Sequence, residues 1–172
     1  LNVCVLEKAA SVGAHMMSGA VFEPGPLDQL LPEWREEYRG LRVPAGRDEF
    51  CFLTQTKRQR LPTPPQMANH GNFIISLGNL AAWLGTKAEA LGCDGFAGFA
   101  AAAPIIDDSG AVAGVRIGDM GLEKDGTPGP NFAPGPEIRA KVTILAEGCR
   151  GSVSKELIRR YRLDAGKSPQ TY

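Results

Sequence analysis

The segment that decides the fold class is Ile138-Arg-Ala-Lys-Val-Thr-Ile-Leu-Ala-Glu-Gly-Cys-Arg-Gly151, followed by Ser152-Val-Ser-Lys-Glu-Leu-Ile-Arg-Arg-Tyr161. The apolar run over 138–145 predicts a strand, and residues 146–151 predict a tight glycine turn. Residues 152–161 predict a helix, whose basic last turns complement the helix dipole. A strand, a glycine turn and a helix in immediate succession indicate an α/β protein.

A second apolar run lies at the beginning of the sequence. Residues Val3 to Leu6 predict a short central strand of a parallel sheet, covered on both faces, and Glu7 closes this strand. Because the sequence opens within a strand, we expect the chain to be an internal fragment of a longer protein.

Between these two strands, the pattern predicts a mixture of helices and antiparallel strands. The predicted elements are a helix over 27–38 that Pro32 interrupts, a hairpin with strands over 50–54 and 60–61, a strand over 72–75, a helix over 78–91 capped by Gly92, one strand over 96–106, and a strand over 112–117 that returns across the turn 107–110. Residues 8–26 and 119–136 are rich in glycine and proline and predict loops. The order is therefore α/β with an antiparallel insertion.

Composition excludes several function classes. The 172 residues carry 19 Lys and Arg against 19 Asp and Glu, so the net charge is zero and no nucleic-acid partner is expected. A hydrophobic content of 43% is that of a globular protein. The four cysteines form no CxxC pair, so we assign no metal ligands in this chain.

Glu7 is the first candidate for a binding role. An acidic residue at the carboxyl end of a strand in a dinucleotide-binding fold accepts hydrogen bonds from the adenosine ribose. The glycine fingerprint of such a fold lies about 20 residues upstream, which would place it before Leu1. The alternative is a surface glutamate that simply ends a strand.

Gly148 and Gly151 are the second candidates. Glycines after a strand allow the backbone to approach a nucleotide closely, and N–H groups at the start of the next helix can face phosphate. The alternative is a tight turn without a ligand. In the loop after the first strand, Gly13, His15, Ser18 and Gly19 could wrap a cofactor, or they could belong to an ordinary loop.

Several blocks of sequence, in the same order, resemble the electron-transfer flavoprotein–ubiquinone oxidoreductase family (electron-transferring-flavoprotein dehydrogenases). The blocks are Val3-Cys-Val-Leu-Glu-Lys-Ala-Ala10 with Gly13-Ala-His15 and Ser18-Gly-Ala20, Asn69-His-Gly-Asn-Phe-Ile-Ile-Ser-Leu-Gly78, Ala88-Glu-Ala-Leu-Gly92, Gly98-Phe-Ala-Ala-Ala102, Lys124-Asp-Gly126, Ala146-Glu-Gly-Cys-Arg-Gly151 and Pro169-Gln-Thr-Tyr172. Ala103-Pro104 departs from this resemblance, because the family carries an acidic and an apolar residue at these two positions. Since proline cannot donate to a sheet ladder, the departure argues against regular strand pairing at this point.

The resemblance implies part of a glutathione-reductase-like FAD-binding fold with an inserted antiparallel β-sheet. It implies that residues 1–40 belong to the FAD-binding domain, that residues 41–136 form the inserted β-rich and helical region, and that residues 137–172 return to the FAD-binding domain. The cofactor-binding residues that it implies are Glu7, Lys8, Gly13, His15, Ser18, Gly19, Ala101, Glu147, Gly148 and Gly151. It implies no catalytic acid or base, because the flavin carries the redox chemistry.

The same resemblance implies the function of the longer protein. Electrons would pass from reduced electron transfer flavoprotein, through FAD and a 4Fe-4S cluster whose ligands lie outside this chain, to ubiquinone. The protein would be monotopic on the mitochondrial inner membrane or the bacterial cytoplasmic membrane. The segment from Val12 to Glu33 would contact the membrane surface through Met16, Met17, Val21, Phe22, Leu27, Leu30 and Leu31.

Two alternatives stay open at this stage. The chain could come from another flavoprotein of the same fold, of the geranylgeranyl-reductase-like or FAD-dependent hydroxylase-like kind. It could also be an isolated structural or interaction domain. On the first interpretation, we expect this piece alone to lack quinone reductase activity.

Overall fold

The computed structural model describes residues 1–168 and shows a mixed α/β protein with several small sheets. Residues Pro169–Tyr172, the last block of the resemblance, lie outside the described residues. The elements in chain order are β1 (Val3–Glu7), β2 (Ser18–Phe22), α1 (Gly25–Leu30), α2 (Trp34–Glu37), β3 (Arg42–Pro44), β4 (Phe50–Leu53), β5 (Arg58–Leu61), β6 (Phe73–Ser76), α3 (Leu77–Ala90), β7 (Cys93–Ala97), β8 (Ala101–Ile106), β9 (Val112–Ile117), β10 (Met120–Leu122), β11 (Pro128–Ala133), β12 (Glu137–Arg139) and α4 (Ser152–Tyr161).

The chain divides into two compact units. Unit 1 consists of Leu1–Val3 and Ser11–Gly95, and the described residues of unit 2 are Cys4–Ala10 and 96–168. Each unit has its own cluster of buried apolar side chains.

Unit 1 is built on an antiparallel sheet in the order β2-β6-β3. Ile75 of β6 is almost completely buried, whereas its neighbour Ile74 is 42% exposed. This alternation follows from the period of two along a strand, which sends successive side chains to opposite faces of the sheet. The inner face packs against the core that contains Leu27, Trp34, Tyr38 and Leu80.

Trp34 is the centre of this core and has no exposed surface. The rings of Phe22 and Phe73 meet it edge-on, with centroids 5.6 and 6.0 Å away. Its indole Nε1 donates to Asp28 Oδ1 at 2.6 Å, so the polar edge of the ring is satisfied. Hydrogen bonds from Arg35, and then from Trp34, hold the pKa of the Asp28 carboxyl below its usual range.

The helices of unit 1 confirm the sequence prediction. The region predicted as one interrupted helix forms α1 and α2, which are separated at Pro32 because proline cannot continue a helix. Helix α3 begins after Ser76, whose hydroxyl accepts a hydrogen bond from Asn79 N at 3.4 Å. Gly92 follows the helix with φ of +86°, as its role at the C-terminal end requires.

Strands β4 and β5 confirm the predicted hairpin, with Phe50 opposite Leu61 and Leu53 opposite Arg58. Two strands of the β2-β6-β3 sheet were not predicted. The loop 8–26 contains β2, and β3 follows α2, because short strands with few apolar residues give little signal in the sequence.

Unit 2 contains a second antiparallel sheet, in the order β12-β9-β8, against which α4 packs. Val153 of α4 is completely buried and lies in one cluster with Val115 and Leu157. The helix prediction for 152–161 is confirmed at both ends. Pro104 lies in β8, opposite Val115, and β8 is an edge strand of this sheet, where a missing N–H donor is tolerated.

Two strand predictions and one loop prediction in unit 2 were wrong. Residues 96–106 do not form one strand: the chain turns between β7 and β8 at Gly98, with φ of +84°. Of the strand predicted over 138–145, only residues 138 and 139 belong to a strand in the structure, as part of β12. The loop 119–136 carries the hairpin of β10 and β11.

The segment 140–147 has the side-chain alternation of a strand, but after Ala140, whose N–H donates to the carbonyl of Ala113, it forms no strand pair among the described residues. Val142 and Ile144 are 76% and 85% exposed, while Leu145 packs against the Val153 cluster. Strand β1 also differs from the prediction of a strand covered on both faces, because Val5 is 49% exposed and β1 pairs in a two-stranded sheet with β7. Apolar runs predict extended backbone, but they do not supply the neighbouring strand.

The substitution Trp34→Ala tests the centre of unit 1. We expect a loss of about 3–5 kcal/mol in the free energy of unfolding, because the variant leaves a large cavity and loses the hydrogen bond from the indole to Asp28. Met17 is 84% exposed, so Met17→Ala should change that free energy by less than about 0.5 kcal/mol. Urea unfolding of the wild type and both variants measures the difference. Similar losses in the two variants would contradict the assignment of Trp34 as the core residue.

Candidate functional site

The candidate residues of unit 2 begin with the turn after β1. Glu7 is half-buried at the end of the strand, and its carboxylate Oε1 accepts a hydrogen bond from Ala9 N at 2.6 Å. The Glu7 carbonyl accepts from Phe99 N at 3.1 Å, and the Ala9 carbonyl accepts from Gly98 N at 2.7 Å. The Glu7 side chain is therefore fixed at the strand end, because the backbone N–H two residues further on binds one of its carboxylate oxygens. Lys8 is exposed.

The glycine turn before α4 is organised by the side chain of Glu147. Its Oε2 accepts hydrogen bonds from Ser154 N and Ser154 Oγ, both at 2.7 Å, and its Oε1 accepts from Val153 N at 3.3 Å. Glu147 thus caps a helix that begins five residues later. The sequence analysis predicted that N–H groups at the start of this helix could face a phosphate. Two of them, those of Val153 and Ser154, donate to the Glu147 carboxylate instead.

The geometry of the turn explains why glycine stands at both positions. Gly148 has φ of +71°, and it is exposed, with no atom within 4 Å of the position that a Cβ would take. Gly151 is buried, and a Cβ there would lie 2.4 Å from Cβ and from Oε2 of Glu147. Gly151 therefore permits close packing within the turn, while Gly148 leaves its outer surface open.

The environment of the Glu147 carboxyl has opposing effects on its pKa. Burial raises the pKa, but hydrogen bonds from the Ser154 hydroxyl and from the backbone N–H groups of Ser154, Val153 and Ser152 outweigh burial. The pKa of Glu147 therefore lies below its usual range, and the carboxylate stays ionised near neutral pH.

The segments that flank these residues share one core. Leu6, Ala101 and Leu145 all pack against the cluster of Val115, Val153 and Leu157. Leu6 precedes Glu7, Leu145 is two residues before Glu147, and Val153 is two residues after Gly151. The structure thus brings the strand end at Glu7, the start of β8 at Ala101 and the Gly148 turn around a single apolar centre.

The four candidates in unit 1 lie around the start of β2. Gly13 is buried with φ of +86°, and a Cβ there would lie 2.3 Å from the carbonyl oxygen of Gly78. His15 is exposed within the turn that Met16 N closes on Gly13 O at 3.0 Å. Ser18 faces Ser76 across the sheet, and the register shifts between Ser18 and Ala20, at Gly19. The contact with Gly78 gives Gly13 a packing role that no local sequence signal indicated.

The segment implied to contact a membrane has two kinds of apolar residue. Leu27 is buried in the unit 1 core, and Phe22 and Leu31 pack against that core. The others lie at the surface: Met16, Met17, Val21 and Leu30 are 46%, 84%, 51% and 72% exposed. Among residues 1–168, no helix has the length and apolar character needed to cross a membrane. Over the same residues, no group of three or more His, Cys, Asp or Glu is arranged to hold a metal ion.

Three curated relatives of the chain carry the same protein name. The chain is 48% identical over 174 residues to the mitochondrial electron transfer flavoprotein-ubiquinone oxidoreductase of Arabidopsis thaliana, 49% identical over 176 residues to the probable electron transfer flavoprotein-ubiquinone oxidoreductase of Acinetobacter baylyi, and 45% identical over 174 residues to the mitochondrial protein of that name from Homo sapiens. Each comparison covers the whole chain, and the chain spans 27–31% of the length of these relatives.

Among solved structures, the chain resembles Thermovibrio ammonificans THI4, with a TM-score of 0.57 and 17% sequence identity over 94% of this chain and 53% of that one. This likeness concerns the fold alone. No protein-family model matches the chain. The resemblance seen in the sequence blocks is confirmed, because the homology extends over the entire chain.

A matched pair of substitutions tests the packing role of Gly13. Gly13 and Gly19 have similar φ values of +86° and +79°, so alanine at either position pays the same left-handed backbone penalty of about 1–2 kcal/mol. Only at position 13 does the new Cβ meet a backbone atom, so Gly13→Ala should lose about 1–3 kcal/mol more than Gly19→Ala. Urea unfolding of both variants provides the comparison, and equal losses would show that the Gly13–Gly78 contact is unimportant.

The lowered pKa of Glu147 predicts a pH dependence of stability. The unfolded chain takes up the proton first, so the contribution of the carboxylate is complete above the ordinary glutamate pKa and is lost as pH falls through the lower folded pKa. Glu147→Gln should therefore show a smaller loss of stability over that acid interval than the wild type. Urea midpoints measured at a series of pH values test this difference. Glu156 is exposed on the same helix, and Glu156→Gln should keep the wild-type profile.

Proposed function

We propose that this homologue of the electron transfer flavoprotein-ubiquinone oxidoreductases forms part of an FAD-dependent enzyme that passes electrons from reduced electron transfer flavoprotein to ubiquinone. The observation that carries the proposal is identity of 45–49% over the whole chain to relatives from a plant, a bacterium and an animal, all named for this activity. Since the chain spans less than a third of these relatives, the activity belongs to the longer protein.

The residues of unit 2 fit the adenosine part of FAD. Glu7 is half-buried and fixed at the end of a strand, with one carboxylate oxygen held by Ala9 N, so the other can accept a hydrogen bond from a ribose hydroxyl. Gly148 and Gly98 have positive φ, and no atom lies within 4 Å of their Cβ positions. Both glycines therefore expose bare backbone, which a nucleotide can approach closely.

The chain's own residues act by position rather than by proton transfer. Bound FAD supplies the electron-transfer chemistry. Glu7 orients the ribose, Gly148 and Gly151 shape the turn that lies against the nucleotide, and Ala101 holds the start of β8 against the common core. In this proposal, which assumes a glutathione-reductase-like fold, Lys8 of unit 2 also contacts the cofactor. Gly13, His15, Ser18 and Gly19 are proposed as the cofactor contacts of unit 1.

The remaining parts of the proposal concern the longer protein. The 4Fe-4S cluster is bound by residues outside this chain. The exposed apolar residues of the segment from Val12 to Glu33, with Met17 and Leu30 foremost, make a shallow contact with the surface of the mitochondrial inner or bacterial cytoplasmic membrane. The buried Leu27 anchors that segment to the protein.

The substitution Glu7→Ala in the full-length protein tests FAD binding. We expect weaker retention of FAD, because the variant loses the carboxylate that orients the ribose and also the bond to Ala9 N. The ratio of flavin absorbance to protein absorbance after gel filtration measures the occupancy. Asp108 is exposed in the turn between β8 and β9, so Asp108→Ala should keep wild-type occupancy. Wild-type occupancy in Glu7→Ala would remove the role of Glu7, and a full-length wild type that binds no FAD would refute the proposed function.

A further inference from the structure

Glu147 closes a loop around the glycine turn. Its carboxylate reaches Val153 N and Ser154 N, which are six and seven residues further along the chain. The four residues from Gly148 to Gly151 lie between the two ends of this bridge. The conformation of the turn is therefore fixed by one side chain, in addition to the covalent chain.

Close packing reinforces this bridge. A Cβ at Gly151 would lie 2.4 Å from Glu147 Oε2, so the backbone of Gly151 touches the carboxylate that spans it. Two residues after Gly151, Val153 is fully buried in the unit 2 core. The far end of the bridge is thus anchored to the core, and Glu147 transmits this anchorage to the turn.

The carboxylate also fills the place where an anion would bind the helix. The N-terminus of a helix attracts one negative group through its unpaired N–H donors and its dipole. Here Glu147 supplies that charge and accepts from three donors. The start of α4 therefore has no free position for a pyrophosphate, and the surface that the turn can offer to a nucleotide is its outer side, at Gly148.

We propose that Glu147 is a positioning residue for FAD: it does not touch the cofactor, but its carboxylate holds the turn from Gly148 to Gly151 in the conformation that lies against the nucleotide. This inference rests on the proposed function, because it requires that the turn contacts FAD. Glu147 thereby differs from Glu7, which in the proposed function would accept a hydrogen bond from the ribose through its second carboxylate oxygen.

The test measures the affinity of the full-length apoprotein for FAD by titration with flavin fluorescence, well below the unfolding temperature. Glu147→Ala should weaken FAD binding about tenfold, since loss of a helix cap corresponds to about that factor in an equilibrium constant. Ser154→Ala, which removes the hydroxyl donor and keeps both backbone bonds, should have a smaller effect in the same direction. Glu156→Gln, on the exposed side of α4, should bind FAD like the wild type.

A double-mutant cycle separates positioning from a general loss of stability. Gly148→Ala places a Cβ on the outer surface of the turn and should weaken FAD binding by itself. In the Glu147→Ala background, where the turn is no longer held, Gly148→Ala should have a clearly smaller additional effect. Fully additive effects on FAD affinity would overturn the proposal.

Two further outcomes are decisive. If Glu147→Ala lowers the thermal stability of the apoprotein but binds FAD with wild-type affinity, Glu147 is only a helix cap and the proposal fails, while the proposed function stands. If Glu147→Ala does not fold, Ser154→Ala and Glu147→Gln provide the test, and unchanged FAD affinity in both would overturn the inference. A wild type that binds no FAD would refute the proposed function itself.

Discussion

The packing of Val153 against Val115 and Leu157 is the interaction on which the candidate site depends. Leu6, Ala101 and Leu145 join this apolar cluster from three distant parts of the chain. Leu6 precedes Glu7, Ala101 is itself a proposed residue of the site, and Leu145 lies two residues before Glu147. Lys8, Glu147 and Gly148 are exposed, and Glu7 is half-buried, so the apolar cluster lies beneath the surface of the site. Packing of the flanking residues in the core therefore determines where the site residues lie, and local hydrogen bonds such as those of Glu7 and Glu147 fix their side chains.

Elements that carry their own signal could be predicted from the sequence. Helix α4 has correct bounds, α3 is correct to within one residue at each end, and the hairpin of β4 and β5 is present, because periodicity and turn residues are local properties. The segment 140–147 could not be predicted in the same way. Its alternation indicates an extended chain, and Leu145 does face the core, but strand pairing requires a partner that lies elsewhere in the sequence or outside the described residues.

The site residues divide in the same way, into features that local sequence determines and contacts that only the folded chain reveals. The strand-end position of Glu7 and the turn at Gly148 follow from local sequence, and the structure has both. The bridge from Glu147 to Ser154 spans seven residues and matches no common capping pattern, whose side chain and donor are two or three residues apart. The contact of Gly13 with Gly78 joins residues 65 positions apart, so only the folded chain reveals why position 13 excludes a side chain.

Positioning by the backbone suits electron transfer better than it suits acid–base catalysis. A flavin carries its own reactivity, so a protein changes the reaction mainly by holding the cofactor at a fixed distance and orientation. Backbone turns do this well when they are locked, because a glycine that leaves room for a ligand also adds conformational freedom. Gly148 has that freedom, and the ionised Glu147 restricts it through donors anchored beside the buried Val153. In the proposed nucleotide site, the open glycine turn and the carboxylate that bridges it are therefore complementary parts.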